Sequence, residues 1–285
     1  MIPAFLNSQQ TRNALVYNAL TINQLVAGSK KDIVEVNSVR VQTPIQSIRE
    51  IREHESGLEA YGAFKRGKLL VLQGVVRASS WGALYDRIEA VAAAYDPATV
   101  SRDNPDTFGF LPLDFSVPTA DTVNFPTGLM PCRYYVRAEE AFEPPYSQYS
   151  GMAVPFNLPL LAADPRRYLQ SLSSLDGAGT AGNTLATFFS WPTVTIAMSG
   201  AGSATFTLGN TTAAASLVLN LSARVNTDTI VIDMERRKIT LNGADAPQLY
   251  VSGSYWPIEV GNNVVTLANS TNASVTTTWR PAFSN

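Results

Sequence analysis

The side chains that most often carry chemistry are scarce in this chain. His54 is the only histidine and Cys132 the only cysteine. Any Ser-His-Asp or Cys-His arrangement would have to use one of them, because an activated nucleophile needs a base within hydrogen-bond reach. His54 lies between Glu53 and Glu55 in a charged stretch, where a solvated surface residue is the simpler reading. Glu139 and Glu140 are adjacent carboxylates of the type glycosidases use, but neighbours on a strand point to opposite faces. A single cysteine excludes an internal disulfide framework and a multi-thiolate zinc site. No catalytic, cofactor-binding or metal-ligating residue is assigned, no cofactor is expected, and the chain is read as non-enzymatic.

Two phosphate-binding lookalikes fail on context. Gly62-Ala-Phe-Lys-Arg-Gly67-Lys68 approaches a nucleotide-binding loop, in which glycine amides and a lysine cradle phosphates. Leu69 stands where a hydroxyl must hold magnesium, and the segment precedes a strand instead of opening a helix. Gly177, Gly179 and Gly182 fit the dinucleotide fingerprint. They lead into the strand-like 184–196, with no acidic residue about 20 positions on to hold a ribose. A basic turn and a linker are the better accounts.

Trp191, Tyr250, Tyr255, Trp256 and Trp279 could stack on sugar rings, although core packing is the default for tryptophans in a sheet protein. Asn210, Asn220, Asn269 and Asn272 each begin a glycosylation-type triplet. The first 18 residues lack a basic segment followed by an apolar run, so no secretory signal is expected and these triplets read as polar strands and turns. No apolar run is long enough to span a bilayer.

Positioning falls to a mainly β chain. Its 285 residues suggest two domains at about 150 residues each. Charged residues make up 15% and hydrophobic residues 45%, with 21 basic against 23 acidic groups and a net charge of −2. That balance leaves no electrostatic footprint for nucleic acid or an anionic membrane. The basic clusters, Lys65-Arg66-x-Lys68, Arg166-Arg167 and Arg236-Arg237-Lys238, lie beside turns and read as solvated tips. Charge density falls from 33 of the first 175 residues to 11 of the last 110. Between these halves lies the Gly-rich stretch 173–183, expected to be a linker joining domains at 1–172 and 184–285.

In the first half, 32–41 and 69–77 read as strands. Trp81, Leu84, Ile88, Val91 and Tyr95 recur at helical spacing, which predicts an amphipathic helix over 80–95 seated on its own sheet. Ser79 or Ser80 caps its start and Asp96-Pro97 stops it. Ile45, Ile48 and Ile51 suit either a helix turn or a short irregular strand. Prolines then punctuate short strands, including 132–138 and 154–161. The second half alternates through Leu217, Leu219 and Leu221, then 229–233, 238–241, 264–267 and 275–279. Asn242-Gly243 is a strong tight-turn dipeptide. These spacings indicate a β-sandwich of jelly-roll type with no helix after residue 175.

The closing pattern resembles the C-terminal domain of siphophage distal tail proteins. The residues that carry the likeness are Thr229-Ile-Val-Ile-Asp233, Arg237 to Gly243, the Pro257-x-x-x-Gly261-x-Asn263 turn, Val264 to Leu267, and Val275 to Pro281. The first half is similar to the ring-forming domain of that family, through Lys68 to Gly74 followed by the helix, and through Phe156 to Pro165 with Tyr168 behind it. The Pro-rich stretch 96–131 is longer than the family pattern leads one to expect. The resemblance implies a galectin-like outer domain and a homohexameric ring that joins the tail tube to the tip or baseplate and lines the DNA channel. It also implies partners: further copies, the tail tube protein and the tail-tip hub protein, with the tape measure or a receptor-binding protein as additional candidates. No sequence-specific nucleic acid and no membrane are expected as partners. The implied location is the virion tail, assembled in the bacterial host cytoplasm. The alternatives are a carbohydrate-binding sandwich for host recognition and a tail-tube subunit.

Overall fold

The computed structural model describes residues 15–17, 20–22, 33–42, 45–51, 58–65, 67–95, 110–138, 142 and 152–284. His54 with Glu53 and Glu55, the pair Glu139-Glu140, and residues 96–109 of the Pro-rich stretch lie outside the described residues. The chain divides into two units between Arg167 and Tyr168.

The first unit contains β1 (Leu15–Tyr17), β2 (Leu20–Ile22), β3 (Ile33–Gln42), β4 (Ile45–Ile51), β5 (Leu58–Lys65), β6 (Lys68–Arg77), α1 (Trp81–Tyr95), β7 (Leu111–Pro118), β8 (Leu129–Ala138) and β9 (Ala153–Ala162). Its main sheet runs β2-β1-β7-β8-β9-β6-β3, and β4 and β5 pair as a separate ribbon. The ambiguous isoleucines at 45, 48 and 51 therefore belong to a strand. Period-2 alternation puts Leu70, Leu72 and Val76 of β6 inside, with Cys132, Tyr134 and Val136 of β8 and Val154, Leu158 and Leu160 of β9. Fully burying one such aliphatic side chain stabilises by about 1.5–3 kcal/mol relative to leaving it exposed.

The helix forms as its spacing predicts. Ser80 Oγ accepts a 3.2 Å hydrogen bond from the Ala83 amide, satisfying one of the unpaired donors of the first turn. Leu84, Ile88, Val91 and Tyr95 are buried, and the Tyr95 hydroxyl donates to the Pro159 carbonyl on β9. Trp81 departs from expectation at 47% exposure. It shares the angular stripe but occupies the first helical position, and Cβ vectors tilt toward the helix N-terminus.

The second unit follows β10 (Arg167–Leu169), which spans the boundary. Its strands are β11 (Ser173–Asp176), β12 (Gly179–Asn183), β13 (Thr193–Met198), β14 (Phe206–Asn210), β15 (Ala215–Leu219), β16 (Thr229–Asp233), β17 (Lys238–Leu241), β18 (Ala244–Asp245), β19 (Tyr250–Gly253), β20 (Gly261–Ala268), β21 (Ala273–Trp279) and β22 (Ala282–Phe283). A six-stranded sheet, β11-β21-β13-β16-β17-β18, and a five-stranded sheet, β12-β20-β14-β15-β19, enclose one core. Val194, Ile196, Ile230 and Ile232 from the first sheet meet Phe206, Leu208, Leu217 and Leu219 from the second. Among the described residues after 175, the helical content is one 3-10 turn, Pro247–Leu249.

The Gly-rich stretch is where the structure differs most from the linker expectation. Residues 173–176 pair with β21 and residues 179–183 with β20. Gly177, at φ +72°, makes the turn between them, and its amide bonds Val275 O at 2.8 Å. Glycine serves here as a strand-to-strand corner.

Candidate functional site

The recognised turn Pro257-x-x-x-Gly261-x-Asn263 is built from buried asparagines. Asn183, Asn210 and Asn263 are fully buried, each continuing the inward row of its strand behind Ala181, Leu208 or Val265. Asn263 Nδ2 donates to Glu259 O at 2.8 Å and to Gly261 O at 3.3 Å. Its Oδ1 accepts from the Glu259 amide at 2.8 Å and from Asn210 Nδ2 at 3.2 Å. Asn210 Nδ2 also reaches Pro257 O at 2.9 Å, while its Oδ1 accepts the Thr212 and Ala213 amides. Asn183 Nδ2 donates to Ile258 O and Glu259 O. These amides replace strand partners that an irregular segment lacks, so the loop's backbone is satisfied although buried. Their role is to hold a loop, and no ligand-directed group emerges from them.

The second half of the pattern is similarly structural. Asn242 and Gly243, at φ +51° and +83°, form a two-residue hairpin loop between Leu241 and Ala244. Asn242 Oδ1 accepts the Thr229 amide at 2.8 Å, and its Nδ2 donates to Asp228 Oδ1 at 2.9 Å. The Val225 amide, then the Asn242 side chain, hold the Asp228 carboxyl below its usual range. Asp233 caps the β16–β17 hairpin through the Arg236 amide at 2.9 Å.

The remaining candidates separate cleanly. Gly67 and Lys68 lie at the turn from β5 into β6, which is the wrong order for a phosphate loop. Lys68 is no solvated tip: it is buried, because it shares the inward phase of Leu70 and Leu72. Several other described basic groups meet carboxylates. Arg166 pairs with Asp164 at 2.7 Å, Lys238 with Asp245 at 2.8 Å, and Arg236 with Asp233 at 3.7 Å. Arg133 forms a two-point bridge to Asp114 at 2.7 and 2.8 Å. Among the aromatics, Trp256 and Trp279 are core. Tyr250, at 41% exposure, lies nearly parallel to half-buried Tyr255 with ring centres 6.3 Å apart. Burial pushes the Cys132 thiol up to about 11, which makes it inert. Among the described residues, no three His, Cys, Asp or Glu groups are placed to hold a metal, and no helix is long and apolar enough to cross a membrane.

Two β-rich units, a sandwich with structural turns and a sheet carrying one helix, define a β-structural protein. Comparison with known proteins gives that class its place. Residues 185–283 match the family described as siphovirus-type tail component, C-terminal domain. Across its length it has the fold of SPP1 Dit, whose crystal structure is described as a paradigm of the hub adsorption apparatus in phages infecting Gram-positive bacteria. The TM-score is 0.61 at 14% identity, covering 95% of this chain and 99% of that chain. A chain of the phage p2 baseplate in its activated conformation with Sr is also similar, with a TM-score of 0.50 at 10% identity over 93% and 97% of the two chains. A search of curated proteins finds no match.

Proposed function

We propose that this chain is the subunit of a homohexameric ring at the distal end of a siphophage tail. The ring joins the tail tube to the tip or baseplate, and its opening lines the path of the DNA. One observation carries the reading: the fold agreement with SPP1 Dit spans both units, 95% of this chain and 99% of that chain, where a sugar-binding module would match the sandwich alone. The role is structural, and the location is the virion tail. The partners are further copies, the tail tube protein and the tip hub protein, with the tape measure or a receptor-binding protein beyond them. Cyclic assembly requires a head-to-tail interface, and a stable one buries more than about 1,000 Å².

Native mass measurement on the purified full chain tests this directly. The expected particle is six times the 30.8 kDa chain, with six-fold rings in electron micrographs. A monomer at micromolar concentration overturns the ring, and rings that stack into tubes on their own favour a tube subunit instead.

A further inference from the structure

The ribbon of β4 and β5 is a two-stranded sheet of its own. β3 pairs with β6 as far as Gln42↔Leu69, and β4 pairs with β5 from Ile45↔Lys65 to Ile51↔Leu58. The two halves therefore run as one long antiparallel hairpin. In its inner half β6 is paired on both sides, by β3 and by β9 down to Ala162↔Lys68, while β3 is the last strand of the sheet. There the support stops. Among the described residues, β4 and β5 bond to each other and to no third strand. A lone two-stranded ribbon is marginal in water, and each outer edge presents a row of backbone donors and acceptors. Neither strand contains a proline, one of the usual guards of an edge strand.

We propose that this ribbon is the seam between neighbouring copies, with the outer edge of β4 in one copy pairing with the outer edge of β5 in the next. The proposal rests on the ring reading above and names the element that makes it. The occupant is a second copy because the two edges are unlike and lie on opposite sides of the ribbon. Each copy thus offers one of each, which is the head-to-tail arrangement that closes into a ring. The strands match in length, at seven and eight residues, giving a paired edge of roughly 24 Å. A foreign strand would satisfy one edge and leave the other open, whereas closure leaves none.

The test replaces residues 43–66 with Asn-Gly, which together with Gly67 and Lys68 makes a four-residue loop joining β3 to β6 where Gln42 already pairs with Leu69. The expected result is a folded protein, with near-UV circular dichroism unchanged, that stays monomeric at concentrations where the unaltered chain forms rings. Amide exchange on the unaltered chain supplies an independent reading that does not depend on how the variant folds. Exchange at 45–51 and 58–65 should slow about tenfold or more as dilute monomer assembles. Rings formed by the shortened variant, or equal exchange in monomer and ring, overturn the ribbon seam and leave the ring reading intact. An unaltered chain that never assembles overturns both.

Discussion

Lys68 Nζ lies 4.8 Å from the centre of the Tyr134 ring and donates a 3.1 Å hydrogen bond to its hydroxyl, with both side chains buried. An ammonium inside a sheet protein persists only when its hydrogens and charge are served. Tyr134→Phe retains the ring and its stacking on Phe115 but deletes one acceptor. It is expected to lower unfolding free energy by about 1–3 kcal/mol in urea titration. An unchanged midpoint would mean that the hydroxyl contributes nothing to holding the charge.

Asn263 makes contacts that no other residue type can reproduce. Its amide nitrogen serves two carbonyls and its oxygen serves two donors within one buried turn. Asn263→Ala strands the Glu259 amide and both carbonyls, at about 1–3 kcal/mol for each group left unserved. Asn263→Asp removes the donors and adds a buried charge, so it should destabilise more. Thermal scans of the two variants check the order, and the reverse order would refute this account of the turn.

Within α1 the burial contrast is itself a prediction. Leu84→Ala and Ile88→Ala should each cost about 2–5 kcal/mol, as fully buried aliphatic side chains do. Trp81→Ala, at a half-exposed site, should cost less than either. A larger loss for Trp81 in the isolated chain would place its ring in the core.

How much of this was legible in the sequence depends on whether a residue's type and its phase agree. Leu217 with Leu219, Ile230 with Ile232, and the stripe from Leu84 to Tyr95 combine apolar side chains with the correct period, and they occupy the elements expected of them. Asn242-Gly243 was legible because few other dipeptides accept two positive φ angles. Lys68 and Asn210 were not, because polarity masked an inward phase that Leu70 and Leu208 share. Gly177 was misleading because a glycine required by a corner and a glycine in a loose linker are the same letter. Ile45, Ile48 and Ile51 were ambiguous for a different reason: the β4–β5 register shifts between Ile48 and Arg49, which breaks strict alternation.

Cys132 provides a clean pH probe. Burial is the main cause of its raised pKa, with Arg167 opposing weakly, and the thiol reaches about 11 against about 8.5 in an unfolded chain. The unfolded state therefore loses its proton first. The contribution to stability is fully present below about 8.5 and is lost as pH rises toward 11. At pH 8 the native thiol should resist a colourimetric disulfide reagent and react fully once the chain is unfolded. Rapid labelling of the native protein would contradict the buried position.

A ring that passes DNA must let a polyanion slide, so basic groups aimed at its opening would slow passage and make it salt-dependent. This chain is close to charge balance at −2, but net charge alone does not decide how cations are arranged. The pairings are more informative. Arg133, Arg166, Arg236 and Lys238 each meet a carboxylate of their own unit at 3.7 Å or less, which blunts their pull on phosphate. Lys68 is buried against Tyr134 and unavailable to it. The assembled full-length protein should therefore show no sub-micromolar affinity for duplex DNA, even at low ionic strength. Fluorescence anisotropy with a labelled random duplex measures this. A dissociation constant below about 1 µM that weakens steeply between 50 and 200 mM salt, roughly one decade per phosphate neutralised for each decade of salt, would replace a passive conduit with a nucleic-acid-gripping role.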